Sequence, residues 1–315
     1  MALLYHSLGH YLKQRFAQPV RKLTLNLGFS CPNRDTQGRG GCTFCHLDSF
    51  VDPSAQQQSL SQQLAARKAE IKQQVSCYLA YFQAYSNTQA EISALKTLYD
   101  AALADPQVVG LCIGTRPDLV PNEVLALLAS YQQQGKEVWL ELGLQSAQDA
   151  TLKRINRGHD YACFADAMRR AHDHGLKVCC HLILGLPGEQ PEHCLDSHQQ
   201  VLETGVAGLK LHPLHVVQGS AMARTWRAGR LELWTEQQYA QCAALIVSRT
   251  PAEVVFHRLQ AHARPPSLLA PDWCANRWRL QSLVEQELAH LGGQGRATAR
   301  PFVVAADKVV QPSLA

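Results

Sequence analysis

No run of apolar residues in this chain of 315 approaches the roughly 18 that a membrane-spanning helix requires, which argues against an integral membrane protein. The opening MALLYHSLGHYLKQRF lacks the unbroken apolar region of an export signal, because His6, His10, Lys13 and Arg15 interrupt it. A cytoplasmic location is the resulting expectation. Charge is sparse: 18% charged residues against 46% hydrophobic ones read as a globular chain with a large core. No internal repeat is visible. A disulfide frame is also missing. The eleven cysteines are odd in number, and most sit singly in apolar runs, such as Cys112 in VVGLCIG and the pair Cys179 and Cys180 in KVCCHLILG. Reduced thiols in a core fit that distribution.

What is present is an alternation. Short β-like runs at 20–29, 77–86, 108–114, 137–145, 177–185 and 206–217 are separated by helix-length segments, the last of them 235–248. Asp160 is the expected cap of a helix over 161–174, and Pro121 and Gly135 bracket another. Six strand–helix steps predict an α/β fold with a parallel sheet and crossover helices. Six fall short of the eight in a closed barrel, so an open partial barrel and a doubly wound sheet both satisfy the pattern. The run 254–260 is a candidate for one more strand and 275–290 for a helix. The expected organisation is a core over 1–250, a small C-terminal extension over 251–290 packed on it, and a loosely held tail over 291–315.

One strand carries more information. In EVWLELGLQ (137–145), Val138, Leu140, Leu142 and Leu144 fall on one face, and Glu137, Trp139, Glu141, Gly143 and Gln145 on the other. The first face suits packing against helices. Unpaired polar groups buried on the second would cost ~1–3 kcal/mol each, so that face predicts a lumen that binds something polar.

Cys31, Cys42 and Cys45 stand apart from the other cysteines, in the loop CPNRDTQGRGGCTFCH. Its CxxCH matches c-type haem attachment, but that linkage is made outside the cytoplasm in most organisms and leaves Cys31 idle. A structural zinc site needs four ligands, and adjacent Cys45 and His46 reach one ion with difficulty. Three thiolates on an iron–sulfur cluster would leave one iron open, which points to substrate binding at iron. Gly38, Gly40 and Gly41 allow the loop to wrap a bulky group. The loop also follows the first strand, and α/β folds collect ligands at the carboxyl ends of their strands.

With GFSCPNRD…GRGGCTFC come YFQAYSNT (81–88), GTRPD (114–118), LELGLQS (140–146), NRGHD (156–160), HLILGLPGE (181–189), LKLHPLH (209–215) and LLAPDWCANRW (268–278). In this order, over about residues 5–280, the chain resembles the radical S-adenosylmethionine (SAM) proteins of the YhcC/YtqA type. These are relatives of the radical SAM domain of the Elongator catalytic subunit. Gln83-Ala84-Tyr85 replaces the Gly-Gly-Glu often found after the second strand, and His46 stands where Asn is more usual.

The resemblance implies a partial (β/α)6 barrel of the radical SAM type and a 4Fe–4S cluster on Cys31, Cys42 and Cys45. It implies SAM chelated at the open iron, one electron from a flavodoxin or ferredoxin to split the S–C5′ bond, and hydrogen abstraction from a substrate. Phe44 would lie against the adenine, Arg157 would pair the SAM carboxylate, and Gly185 and Gly188 would let backbone approach the adenine. Gln83, Glu141 and Gln145 are further candidates for contact with cofactor or substrate. His181, Lys210 and His212 are the candidate catalytic groups on the substrate side. His215 falls on the opposite strand face and is set aside, and the remaining histidines read as surface. The Elongator relationship leaves a tRNA wobble uridine as a candidate substrate. Residues 1–40 hold six Lys and Arg against Asp35 alone, which keeps a second reading open: a zinc-stabilised, non-catalytic RNA-binding module.

Overall fold

Seven parallel strands follow one another across one sheet in the order in which the chain makes them. The structure is a computed structural model, and it describes residues 3–35, 37–46, 58–71, 75–83 and 85–296. The strands are β1 (Val20–Leu25), β2 (Cys77–Phe82), β3 (Val108–Thr115), β4 (Glu137–Gln145), β5 (Lys177–Leu184), β6 (Gly208–Pro213), β7 (Val216–Val217), β8 (Val255–Arg258) and β9 (Leu268–Ala270). The main sheet runs β1-β2-β3-β4-β5-β6-β8, while β7 and β9 pair antiparallel in a separate ribbon. The helices are α1 (Leu8–Phe16), α2 (Leu60–Ala69), α3 (Ile92–Leu103), α4 (Asn122–Gln133), α5 (Asp149–Arg154), α6 (Tyr161–Asp173), α7 (Pro191–Glu203), α8 (Ala221–Arg227), α9 (Glu236–Arg249) and α10 (Arg277–His290).

A doubly wound sheet needs a reversal of strand order. This sheet has none, so successive right-handed crossovers put their helices on one face and the sheet curls around the other into a half-barrel. The partial barrel is therefore the fold, with a correction to the count of six: β8, four residues long, adds a seventh strand beside β6. The run 206–217 is also not one strand. Pro213 ends β6, and Val216–Val217 leaves for the ribbon with β9. Local signals set most helix ends. Asp160 accepts a hydrogen bond from the Cys163 amide at the start of α6, and Gly135, at φ +82°, follows α4.

The two faces of β4 separate as their alternation requires. Val138, Leu140, Leu142 and Leu144 are fully buried in the main core with Leu125 and Leu128 of α4 and Phe164 and Met168 of α6. Burial of each such side chain stabilises the fold by about 1.5–3 kcal/mol. On the inner face Trp139 joins a smaller cluster with Leu79, Cys112, Cys179 and Val255, and Leu8 and Leu12 of α1 cap it. Tyr11 Oη donates to Glu137 Oε1 at 3.0 Å and accepts from Lys177 Nζ at 2.8 Å. The N-terminal helix thus plugs the amino end of the half-barrel, leaving the carboxyl end open.

The expected extension over 251–290 contributes β8 to the main sheet and packs α10 on α9. Gln294, in the expected tail, holds the chain start: its amide donates to Leu4 O at 2.9 Å, and its Oε1 accepts from the His6 amide at 2.7 Å. Residues 297–315 lie outside the described residues.

Gly110 pairs with Glu137 across β3 and β4. A Cβ there would stand 1.9 Å from the Glu137 carbonyl oxygen, so the two strands would have to part. Gly110→Ala is expected to cost about 3 kcal/mol or more, read as a lower urea midpoint at an unchanged slope.

Candidate active site

The open end of the half-barrel holds a cavity of about 420 Å³, within the range of small-molecule sites. Cys31, Cys42, Phe44, Cys45, Gln83, Glu141, Gln145, Arg157, His181, Lys210 and His212 all line it. Gly185 and Gly188 do not. They sit at φ +82° and +78°, where a Cβ would meet the Trp234 ring and the Arg154 guanidinium respectively. Their conformations serve the turn after β5, and the expected approach to the adenine does not follow from their position.

The cysteine loop is latched to the segment between β4 and α6. Asn33 Nδ2 donates to Asn156 O at 2.6 Å, Asn156 Nδ2 to Gly41 O at 2.8 Å, and the Thr43 amide to Ile155 O at 2.9 Å. Arg34 staples the loop to itself through Gly38 O and Cys45 O at 2.9 and 3.0 Å. Arg157 is buried. Its Nη2 and Nε donate to Gly143 O, and Nη1 approaches Cys42 Sγ at 3.5 Å. Gly143 lies beneath it: a Cβ there would stand 2.8 Å from Gln145 Nε2 and 2.9 Å from Arg157 Nη2, so both side-chain ends would have to shift. Gln145 ends β4 at φ +83°, a strained conformation for a residue with a side chain, beside a register shift.

These residues fit a 4Fe–4S cluster. The three thiols face one cavity and have donors and cations around them. Asn33 Nδ2 lies 3.7 Å from Cys42 Sγ. Arg116 spends Nε and Nη2 on Asp118, while its Nη1 is buried without a hydrogen-bond partner. Burial, then the neighbouring Cys42, push the Cys45 thiol up against the pull of Arg34; metal binding to such a thiol releases its proton. Among the described residues no three His, Cys, Asp or Glu side chains converge closely enough for a single metal ion. A cube puts each thiolate on a different iron and does not require that convergence.

Deeper in the lumen, Glu141 is fully buried and has four basic partners. Oε1 accepts from Lys22 Nζ and from His257 Nδ1 at 3.1 Å, and Oε2 from His181 Nε2 at 2.8 Å and Lys210 Nζ at 2.9 Å. Burial alone would raise its carboxyl. The Lys210 and Lys22 charges and the histidine hydrogen bonds outweigh that and hold it well below the usual range. Burial drives His181 and His257 down to about 3, so both are neutral donors at neutral pH. Burial also pulls Lys210 down to about 8 despite Glu141, with Arg258 and Lys22 repelling it.

Several of these groups escape sequence reasoning. Lys22 reads there as one member of a basic segment. His257 and Arg258 belong to a strand too short to show alternation. The surface reading of the remaining histidines is corrected: the His257 ring lies 4.4 Å from that of Trp139, and buried His198 bonds Thr250 Oγ1 at 2.8 Å. His215, set aside as facing away, lines the cavity, because β6 has already ended at Pro213 and strand parity no longer applies.

Residues 26–201 match the model of the Radical SAM superfamily, and residues 206–290 match the Radical_SAM C-terminal domain. The chain is 52% identical over 301 residues to protein YhcC of Escherichia coli, covering 95% of this chain and 97% of that one. It is 33% identical over 300 residues to YtqA of Bacillus subtilis, covering 93% and 92%. A shorter match, 35% over 130 residues, covers 40% of this chain and 28% of the tRNA uridine(34) acetyltransferase of Dehalococcoides mccartyi. The solved archaeal Elp3 of Methanocaldococcus infernus superposes with a TM-score of 0.61 at 19% identity, covering 87% of this chain and 63% of that one, and so shares the fold. No helix among the described residues is long and apolar enough to cross a membrane. Half-barrel, cysteine loop and matches agree, and the chain belongs to the radical SAM superfamily.

Proposed function

We propose that this enzyme holds a 4Fe–4S cluster on Cys31, Cys42 and Cys45, binds SAM at that cluster, and takes a hydrogen atom from a substrate seated in the lumen, with a flavodoxin or ferredoxin as electron donor. The observation that carries the proposal is the cysteine loop latched over a lumen whose far end is plugged. When bound, cluster and SAM supply the one-electron cleavage of the sulfonium bond.

The chain's own residues position and shield. Arg157 ties Cys42 to the end of β4. Phe44 packs against the core between the last two cysteines and offers an apolar wall. Gln83 and Gln145 supply amides to the same cavity. Glu141 is saturated by its four partners, so it acts by holding Lys210 and His181 toward the cavity rather than by touching SAM. His212 stands beside His181, ring centroids 6.5 Å apart.

A tRNA wobble uridine is the substrate class we favour. Support comes from the relative named for uridine 34 of tRNA and from the cavity rim. There Arg264 and His262 lie near the start of α10, where Arg277 stacks on exposed Trp278 at 4.5 Å. An aromatic–guanidinium pair of this kind accepts an unpaired base. The test has two arms. Anaerobically reconstituted protein with reductant is expected to convert SAM into 5′-deoxyadenosine, and tRNA from a deletion strain is expected to lack or alter one modified nucleoside. Colourless protein with stoichiometric zinc and no SAM cleavage would overturn the enzymatic proposal and favour the zinc-stabilised RNA-binding module. An unchanged nucleoside profile would overturn the tRNA substrate.

A further inference from the structure

The lumen around Glu141 carries more positive charge than that acid can balance. Lys22, Lys210 and Arg258 gather there around the single carboxylate of Glu141. His181 and His257 bond the same carboxylate and are neutral. Buried charge without a partner is costly, so the excess needs an explanation.

Arg258 is the sharpest case. One of its amino groups donates to His212 Nε2, a neutral acceptor. Its Nε is buried without a hydrogen-bond partner. Among the described residues no carboxylate pairs with it, since Glu141 is shared by Lys22, Lys210, His181 and His257. Lys210 is its register partner on the neighbouring strand, so the two side chains start one strand spacing apart, about 4.8 Å. Lys210 Nζ donates to Tyr81 Oη at 2.5 Å and Glu141 Oε2 at 2.9 Å, and an ammonium has a third N–H to give. Both residues line the cavity.

We infer that Arg258 and Lys210 form a subsite for an oxyanion, a carboxylate or a phosphate, carried by the molecule that reacts in the lumen. This rests on the proposal that the lumen is the substrate chamber. A guanidinium and an ammonium side by side make a strong oxyanion clamp. His212 orients Arg258, and Glu141 keeps the remaining cations from repelling one another.

The test is calorimetric titration of reconstituted protein with malonate and, separately, inorganic phosphate, against chloride at equal ionic strength. We expect saturable binding of at least one oxyanion, retained when SAM is saturating, and about 10- to 100-fold weaker in Arg258→Met. The preferred probe tells carboxylate from phosphate. Without anion, Arg258→Met is expected to melt no lower than wild type, because it removes a buried unpaired cation. Should that variant not melt cooperatively, Lys210→Met replaces it in the titration, with the same expected weakening. Absence of saturable binding in wild type, undiminished binding in the variant, or displacement of the anion by SAM would each overturn the inference. The last would assign the clamp to SAM's own carboxylate. Formation of 5′-deoxyadenosine, assayed on the same preparation, reports separately on the radical SAM proposal.

Discussion

Cys45→Ala is expected to lower conversion of SAM to 5′-deoxyadenosine by at least about 1000-fold, roughly 4 kcal/mol of transition-state stabilisation, and to leave the apoprotein's melting curve almost unchanged. The two halves of this result have separate causes. A 4Fe–4S cluster held by Cys31, Cys42 and Cys45 would lose one of its three protein ligands with the Cys45 thiol. The loop, in contrast, does not depend on the thiol for its shape. Its anchors are Asn33 on Asn156, Asn156 on Gly41, and Arg34 on the carbonyls of Gly38 and Cys45, all independent of the Cys45 side chain. Cys31→Ala and Cys42→Ala should behave alike in activity. Cys42→Ala should also cost some stability, because Cys42 is buried against Arg157 and Asn33. Iron content, product analysis under anaerobic conditions and thermal melting of the apoproteins check this. Cleavage retained by Cys45→Ala would remove the cluster from these three residues.

Glu141→Leu is expected to destabilise the protein by about 3–5 kcal/mol, the cost of stranding the partners of a buried ion pair. Lys22 and Lys210 would then face each other in the lumen without a counter-ion, and His181 and His257 would lose their acceptor. Urea unfolding under anaerobic conditions measures it; a shift below about 1 kcal/mol would mean the cluster is as solvated as a surface ion pair. The same network predicts the direction of acid instability. Burial lowers His181 and His257 to about 3 from 6.5, so between those values the unfolded chain takes up protons that the folded one refuses. Stability is therefore full above about pH 6.5 and falls as pH drops below it. Glu141, with its folded value depressed, contributes stability above the ordinary carboxylate value of 4.5 and loses it only as pH falls further. Midpoints between about pH 7.5 and about pH 5 should decline; a flat profile would show the histidines to be solvated.

Much of this centre was legible in the chain. Glu141 and Gln145 could be placed on an inner face because β4 is long and central, with strict alternation of Leu and Val on its other side. Lys210 and His212 could be placed on one face of β6 for the same reason. The cysteine loop was readable from its position after the first strand and its glycines. Where elements are short, the pattern failed. Four residues of β8 cannot display a period of two, so His257 and Arg258 had no visible face. The end of β6 at Pro213 put His215 into the cavity against parity, and Lys22 was one basic residue among six.

By itself the sequence determined which residue types alternate on each strand, where the helices start and stop, and that three cysteines share one glycine-rich loop, since these follow from local spacing and backbone chemistry. Only the tertiary structure decided that Lys22 of β1 and His257 of β8, from opposite edges of the sheet, meet on one carboxylate of β4. That meeting depends on how far the sheet curls. The curl is a property of all the helices packed together on its outer face, and no local run of residues encodes it.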